Sequence, residues 1–224
     1  MAADRARRRP TPRLWSRVDA VFFDVAMPVV RGYGYLVHGL RVTGREHLTA
    51  VVGGVVTVAN HVHYLDGPWV AGQFRGRRVA VVSQPENFHL PVAGVLVGHL
   101  LAVPLPRAPG ELGAFEARLR RTVEAGQGIH FFPEGELVMY DTSLRSFQRG
   151  AFVYACRLGV PVVPMVYTYG RRPPWRPRPP IRLTILPAER PRGSSPADVA
   201  ELLGRCRAAM DAVVAGAPGY APRR

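Results

Sequence analysis

Val55-Val56-Thr57-Val58-Ala59-Asn60-His61-Val62-His63-Tyr64-Leu65-Asp66 decides how the rest of the chain is read. Five small or β-branched residues, too few for a helix, stop abruptly on Asn60-His61. That is the pattern of a short strand buried on both faces, running into a polar turn. The same grammar recurs downstream: Ile129-His130-Phe131-Phe132 runs into Pro133-Glu134-Gly135, and Val160–Val166 and Ile181–Leu186 read as further strands. Arg78–Ser83 and Ala102–Leu105 complete the set. Between them, Leu112–Glu124 has the apolar spacing of a helix ended by Gly126 or Gly128, and Phe147–Leu158 reads as a helix stopped at Gly159. Ser195-Pro196-Ala197-Asp198 opens a last helix to about Val214, with a serine cap and proline in the first turn. Strands alternating with helices predict an α/β fold, a mostly parallel sheet flanked by helices. In such folds ligand sites collect at the carboxyl ends of the strands, and both polar turns follow strands.

The 224 residues suffice for one α/β domain. Leu90–Leu101 is apolar with Gly94 and Gly98 inside and predicts a buried helix. No uninterrupted apolar run reaches 18 residues, which excludes a spanning segment on the sequence pattern. Arg5, Arg7, Arg8 and Arg9 are not followed by the apolar core of a secretory signal. Two cysteines, Cys156 and Cys206, make neither a disulfide framework nor a four-ligand zinc site and read as buried thiols in a reducing compartment.

All thirty basic residues are arginine and the formal net charge is +14. Residues 1–17 hold six arginines and one acid, and residues 171–192 hold seven arginines and one acid, while the rest of the chain is nearly balanced. Charge confined to flanks and to one Pro/Arg-rich segment suits an anionic surface, either nucleic acid or an anionic membrane leaflet. A nucleic-acid surface would interleave aromatics for stacking, whereas Arg171–Arg178 holds a single Trp175, so no nucleic acid is expected. Val18, Phe22, Val25, Val29, Tyr33, Leu36 and Leu40 recur at helical spacing, interrupted by Pro28, which predicts a kink or two short helices. That stripe serves either the domain's own core or the membrane interface.

Chemistry concentrates in the first turn. A histidine and an aspartate five positions apart meet if the strand-to-helix turn folds back; the carboxylate then holds one nitrogen of His61 and leaves the other free to take a proton. No serine nucleophile accompanies them, so the substrate's own hydroxyl becomes the attacking group. His61 and His63 are also two conceivable zinc ligands, but Asp66 is out of register with dinuclear hydrolase patterns and no third histidine follows, so no metal is expected.

Taken together, Asn60-His61 with Asp66, the apolar stretch from Gly98 to Arg107, Phe132-Pro133-Glu134-Gly135 and Val163-Pro164 resemble the four ordered sequence blocks of the glycerolipid acyltransferases. These are enzymes of the lysophosphatidic-acid acyltransferase type, and Val42-Thr43-Gly44-Arg45-Glu46 is similar to their lead-in segment. The resemblance covers about residues 15–190. It implies a glycerol-3-phosphate acyltransferase-like fold, with His61 as general base and Asp66 as its support. Acyl-CoA or acyl carrier protein would be the co-substrate, and no cofactor is needed. Glu134 and Gly135 would shape the site of a lysolipid acceptor, and Arg107, with Arg145 or Arg149, would hold its anionic group. The expected organisation is a basic arm over 1–14, an amphipathic helical segment over 15–41, the acyltransferase domain over 42–216 and a tail over 217–224. The expected location is the cytoplasmic face of a bacterial cell membrane, bound peripherally. A non-catalytic lipid-binding protein of the same fold is the alternative.

Two departures bear on the acceptor. His63 replaces the family's serine, and Glu136-Leu137 replaces its Thr-Arg pair. Since the resemblance implies that this arginine grips the acceptor phosphate, a cationic or neutral acceptor head becomes admissible.

Overall fold

The computed structural model describes residues 17–74, 76–89 and 102–218. The basic arm over 1–14, most of the tail and the helix expected over Leu90–Leu101 lie outside them. Among the described residues the chain runs α1 (Arg17–Leu36), β1 (Arg41–Thr43), α2 (Arg45–Thr49), β2 (Val55–Ala59), α3 (Asp66–Ala71) and β3 (Val79–Ser83). It continues through β4 (Val103–Pro104), α4 (Leu112–Glu124), β5 (Gly128–Phe131), α5 (Gly150–Leu158), β6 (Val162–Tyr169), β7 (Ile181–Ile185) and α6 (Pro196–Ala215). The seven strands form one sheet in the order β1-β7-β6-β2-β5-β3-β4, parallel except where β6 meets β7. This is the mostly parallel sheet with flanking helices that the alternation predicts.

β2 is central, with β6 on one side and β5 on the other. Its alternating side chains feed two cores, so no position is left for a polar face. Val55 and Ala59 pack with Trp69, Val163, Met165 and Tyr167 beneath α1 and α3. Val56 and Val58 pack with Ile129, Phe152, Val166 and Leu202 beneath α4, α5 and α6. After β2 the chain moves outward to β3 and β4, returns to β5, and then crosses β2 to β6. The reversal makes the carboxyl ends of β2 and β5 a topological switch point, where an open α/β sheet leaves a crevice.

Pro164 lies inside β6, with strands on both sides. Its carbonyl accepts from Leu186 N–H one residue before the β7 ladder begins at Met165, so the missing amide falls at the end of that ladder.

α1 is one helix across Pro28 rather than two. Pro28 is exposed, and only the carbonyl of Asp24 loses its amide donor there. Met27 and Gly34 form the helix's buried side, and Val30 and Tyr35 pack against the core. Gly34 permits the approach to α3, because a Cβ there would stand 2.6 Å from Trp69 Nε1. The opposite side shows Val21, Val25, Val29 and Leu36, all more than 60% exposed, with Tyr33 at 44%. Of the stripe read from the sequence, Val25, Val29, Tyr33 and Leu36 thus lie outside the core, and Leu40 is buried.

Candidate active site

Asp66 opens α3 five residues after His61, and its wholly buried carboxylate turns back into the loop. Oδ2 accepts from Val62 N–H and His63 N–H, both at 2.7 Å, and from His61 Nδ1 at 3.2 Å. With Nδ1–H committed to Asp66, the acceptor lone pair of the imidazole is on Nε2. Complete burial pushes the Asp66 carboxyl above its ordinary range, and the hydrogen bonds from His61, His63 and Val62 pull against that. The His61 ring lies flat on Phe132, centroids 3.9 Å apart, which fixes its plane. Its side chain is 20% exposed, the rest of the pair being covered.

Three contacts brace this loop from the other strands. Asn60 accepts from Tyr167 N–H at 2.7 Å and donates to Tyr167 O at 3.0 Å, so its amide continues the β2–β6 ladder past the end of the strand. Tyr167 Oη–H, buried among apolar side chains, donates to the Asp66 carbonyl at 2.8 Å. From β5, Glu134 Oε2 accepts the His61 N–H at 3.3 Å. The segment after it lies alongside the loop, where Val138 N–H and Tyr140 N–H donate to the carbonyls of His61 and Val62 at 3.2 and 3.0 Å. Gly135 makes the turn with φ near 81°, a conformation other residues adopt only with strain, and its carbonyl accepts from Gln84 at 2.7 Å.

His61, Asp66, Glu134 and Gly135 therefore come together at the ends of β2 and β5. The two arginines named from the sequence have other partners. Arg107 is ion-paired with Glu86, takes its backbone support from Glu111 at 2.9 Å, and lines a cavity of about 470 Å³ with Leu105, Phe115 and Arg118. Arg149 donates to the carbonyl of Pro196 at the start of α6, 2.8 Å away. The guanidinium at the site belongs to Arg145, with Nη2 2.6 Å from Glu134 Oε2. Glu136 holds its side chain out, 70% exposed, and Leu137 is partly exposed beside it.

His63 has a packing role. It is 1% exposed, stacked on Tyr64 and Trp69 and edge-on to His38. Its Nδ1 accepts from Leu65 N–H at 3.1 Å. Burial, helped by His38, Arg178 and His61, brings its pKa down to about 4. A neutral imidazole engaged this way is not paired with His61 as a ligand. Among the described residues no three His, Cys, Asp or Glu side chains gather as a metal site requires.

No sequence pattern gives a role to Tyr167 or Phe132, and Arg145 enters there only as an alternative to Arg149. Phe132 carried a signal, since an aromatic residue directly before Pro133-Glu134 sits where the strand opens toward the neighbouring turn. Tyr167 lies 101 positions from the residue it supports, and nothing local marks it.

Comparisons with known proteins bear on the family and the fold. Residues 39–168 match the family model described as Acyltransferase. A 1-acyl-sn-glycerol-3-phosphate acyltransferase of Chlamydomonas reinhardtii is 33% identical over 128 residues, which is 55% of this chain and 37% of that protein. A chloroplastic 1-acyl-sn-glycerol-3-phosphate acyltransferase of Brassica napus is 33% identical over 125 residues, 55% of this chain and 36% of that protein. The match thus spans little more than a third of the length of these curated relatives. The crystal structure of the 1-acyl-sn-glycerophosphate acyltransferase PlsC from Thermotoga maritima superposes with a TM-score of 0.62 at 21% identity, covering 89% of this chain and 84% of that one, which establishes a shared fold. With the family model matched over more than half of its length, on the strands and turns that assemble His61, Asp66 and Glu134, the chain belongs to the Acyltransferase family.

Proposed function

We propose that the protein is an O-acyltransferase that moves a fatty acyl group from acyl-CoA or acyl carrier protein to a hydroxyl of a lysophospholipid-like acceptor. The observation that carries this reading is the His61–Asp66 pair, 3.2 Å apart at the carboxyl end of the central strand. Nε2 of His61 takes the proton of the acceptor hydroxyl as its oxygen attacks the thioester carbonyl. The buried Asp66 carboxylate steadies the imidazolium that forms, and the two backbone donors on its Oδ2 keep it aimed at Nδ1. Collapse of the tetrahedral intermediate breaks the C–S bond, and the departing thiolate recovers the proton from the imidazolium. Ester and thiol are the products, and no acyl-enzyme forms.

The acceptor and product are amphiphiles, so the working surface is a membrane, met from its cytoplasmic side. The exposed apolar side of α1 supports this reading, as does the segment joining β6 to β7, which holds Arg171, Arg172 and Arg178 in solvent around Trp175, itself 81% exposed. Because β2, β5 and β6 are parallel, that segment leaves the sheet at the same end as His61 and Glu134. No helix of the described residues is long and apolar enough to cross a membrane.

The test is acyl transfer by the purified protein from acyl-CoA and from acyl carrier protein to a panel of lysolipids, with His61→Ala alongside. Loss of a general base lowers turnover by ~10²–10⁴-fold. A folded His61→Ala protein with wild-type turnover would falsify the mechanism.

A further inference from the structure

The loop that presents His61 is held by a carboxylate that is itself buried: the Glu134 side chain is 1% exposed. A charge taken out of water at that depth needs a partner. The two residues next along, Glu136 and Leu137, supply none. Arg145, eleven positions after Glu134, supplies two bonds at once. Its Nη2 donates to Oε2 at 2.6 Å and its backbone N–H donates to Oε1 at 3.1 Å, so both carboxylate oxygens are engaged by one residue. The same Nη2 donates to the Glu136 carbonyl at 2.7 Å, which fixes the turn between them.

Arg145 is fixed in turn from the far side of the sheet. Arg207 of α6 donates from Nη1 to the Arg145 carbonyl and from Nη2 to the Leu144 carbonyl, the latter at 2.7 Å. The Arg207 guanidinium lies over the Phe147 ring at 4.9 Å and is paired with Asp211 at 3.2 Å. A continuous set of contacts therefore runs from α6 through Arg207, Arg145 and Glu134 to the His61 amide.

We infer that Arg145 is a positioning residue for acyl transfer, holding Glu134 ionised and oriented so that it anchors the backbone of the general base. This rests on the reading of His61 as that base. Its Nη2 is thereby spent on Glu134 and on the Glu136 carbonyl, while Nε stands 4.0 Å from the Glu136 carboxylate. Burial pushes the Glu134 carboxyl above its ordinary range; the His61 and Arg145 amides and the Arg145 charge hold it down. Without the guanidinium, Glu134 takes up a proton at higher pH and loses its fixed orientation.

The experiment compares wild type, Arg145→Gln and Arg145→Lys in kcat, KM and pH–rate profile, with the His61 backbone amide followed by NMR through an acid titration. In Arg145→Gln, kcat falls roughly tenfold to a hundredfold, as for a small misplacement of a catalytic group. KM for both substrates changes little, the acid limb moves to higher pH, and the His61 amide reports a Glu134 titration displaced the same way. Arg145→Lys keeps the charge and recovers part of kcat with a near wild-type titration. An Arg145→Gln protein with unchanged kcat, acid limb and amide titration overturns the inference. If that variant does not fold, Glu134→Gln/Arg145→Gln, which leaves no buried charge unpaired, carries the test: reduced kcat supports the inference and wild-type kcat overturns it. A wild-type protein that transfers no acyl group overturns the parent reading instead, while the amide titration still tests the clamp.

Discussion

At the residue scale, the two histidines of the first turn have opposite duties. His61 faces Asp66 and the open end of the sheet, while His63 is spent on packing. His63→Asn keeps an acceptor for the Leu65 amide and removes the titrating ring, so kcat is expected to stay near wild type. Stability carries the signature instead. Burial lowers the folded-state pKa of His63 to about 4 and that of His130, wholly buried in β5, to about 3. Both lie below the ordinary 6.5, so the unfolded chain binds these protons first as pH falls. The contribution is fully present above pH 6.5 and is lost as pH falls through that value, down to about 4 for His63 and about 3 for His130. The raised carboxyls of Asp66 and Glu134 act in the opposite sense, so the clean measurement is a difference. Urea midpoints at neutral and mildly acidic pH should lie closer together in His63→Asn than in wild type; equal spacing would mean that His63 titrates normally in the fold.

The acceptor also belongs to this scale. Arg145 is committed to Glu134, Arg107 to Glu86, and Arg149 to Pro196, while Glu136 projects a negative charge beside Leu137. A phosphate monoester carries roughly −1.5 to −2 at neutral pH, and a charge-assisted hydrogen bond contributes about 1.5–3 kcal/mol. Lysophosphatidic acid should therefore be used less well than a typical family member uses it, and Glu136→Thr/Leu137→Arg should improve its use by roughly tenfold or more. Steady-state rates on lysophosphatidic acid, a neutral acceptor and an aminolipid acceptor decide. A native preference for the phosphate acceptor, lost in Arg107→Ala or Arg149→Ala, would show that these arginines reach it.

At the scale of elements, α1 offers the sharpest experiment. Val25 and Val29 make little contact with the body, whereas Met27 and Gly34 are buried against it. Charges placed outside should leave the fold intact: Val25→Glu/Val29→Glu is expected to keep the wild-type melting temperature and to weaken vesicle binding by about tenfold or more, given ~1.5–3 kcal/mol for burying one such side chain. Unchanged sedimentation with vesicles would remove α1 from the membrane account. Whether such a stripe faces the core or the outside was not legible in the sequence, because apolar spacing gives a face without saying what covers it. Other elements were legible nearly to the residue. β2 and α4 occupy the spans that their patterns predict, since an apolar run of five residues stopped by a polar turn is too short for a helix and an amphipathic helix leaves a clear period. The helix expected from Phe147 begins instead at Gly150, because Gln148 N–H is given to the Pro133 carbonyl and Phe147 lies under Arg207.

Across the whole molecule, order was the harder inference. His61-x4-Asp66 could be read because its members are local, whereas Asn60–Tyr167 depends on which strand lies beside which, and Arg145–Glu134 on how an irregular loop folds back. Parallel neighbours are joined by long crossovers, and the sequence patterns of β2, β5 and β6 do not say which is central. Charge is the other whole-molecule property. With +14 concentrated near the termini and in 171–192, binding to anionic vesicles should fall steeply with added salt and exceed binding to neutral ones. Neutralising Arg171, Arg172 and Arg178 together should flatten that dependence, as read by sedimentation at several salt concentrations. Binding indifferent to both salt and lipid charge would leave only the apolar contact.

The pairing of β1 with β7 sets a timetable for making the protein. Thr43 lies beside Thr184 in the finished sheet, with 141 positions between them. At roughly 5–20 residues per second a ribosome needs about 7–28 seconds to span that interval. Until then the first strand has no ladder to join, and α1 enters the world with its apolar side exposed and its anchoring strand unpaired. The loop that presents His61 waits longer still, because Arg207 of α6, which holds Leu144 and Arg145, is made after β7.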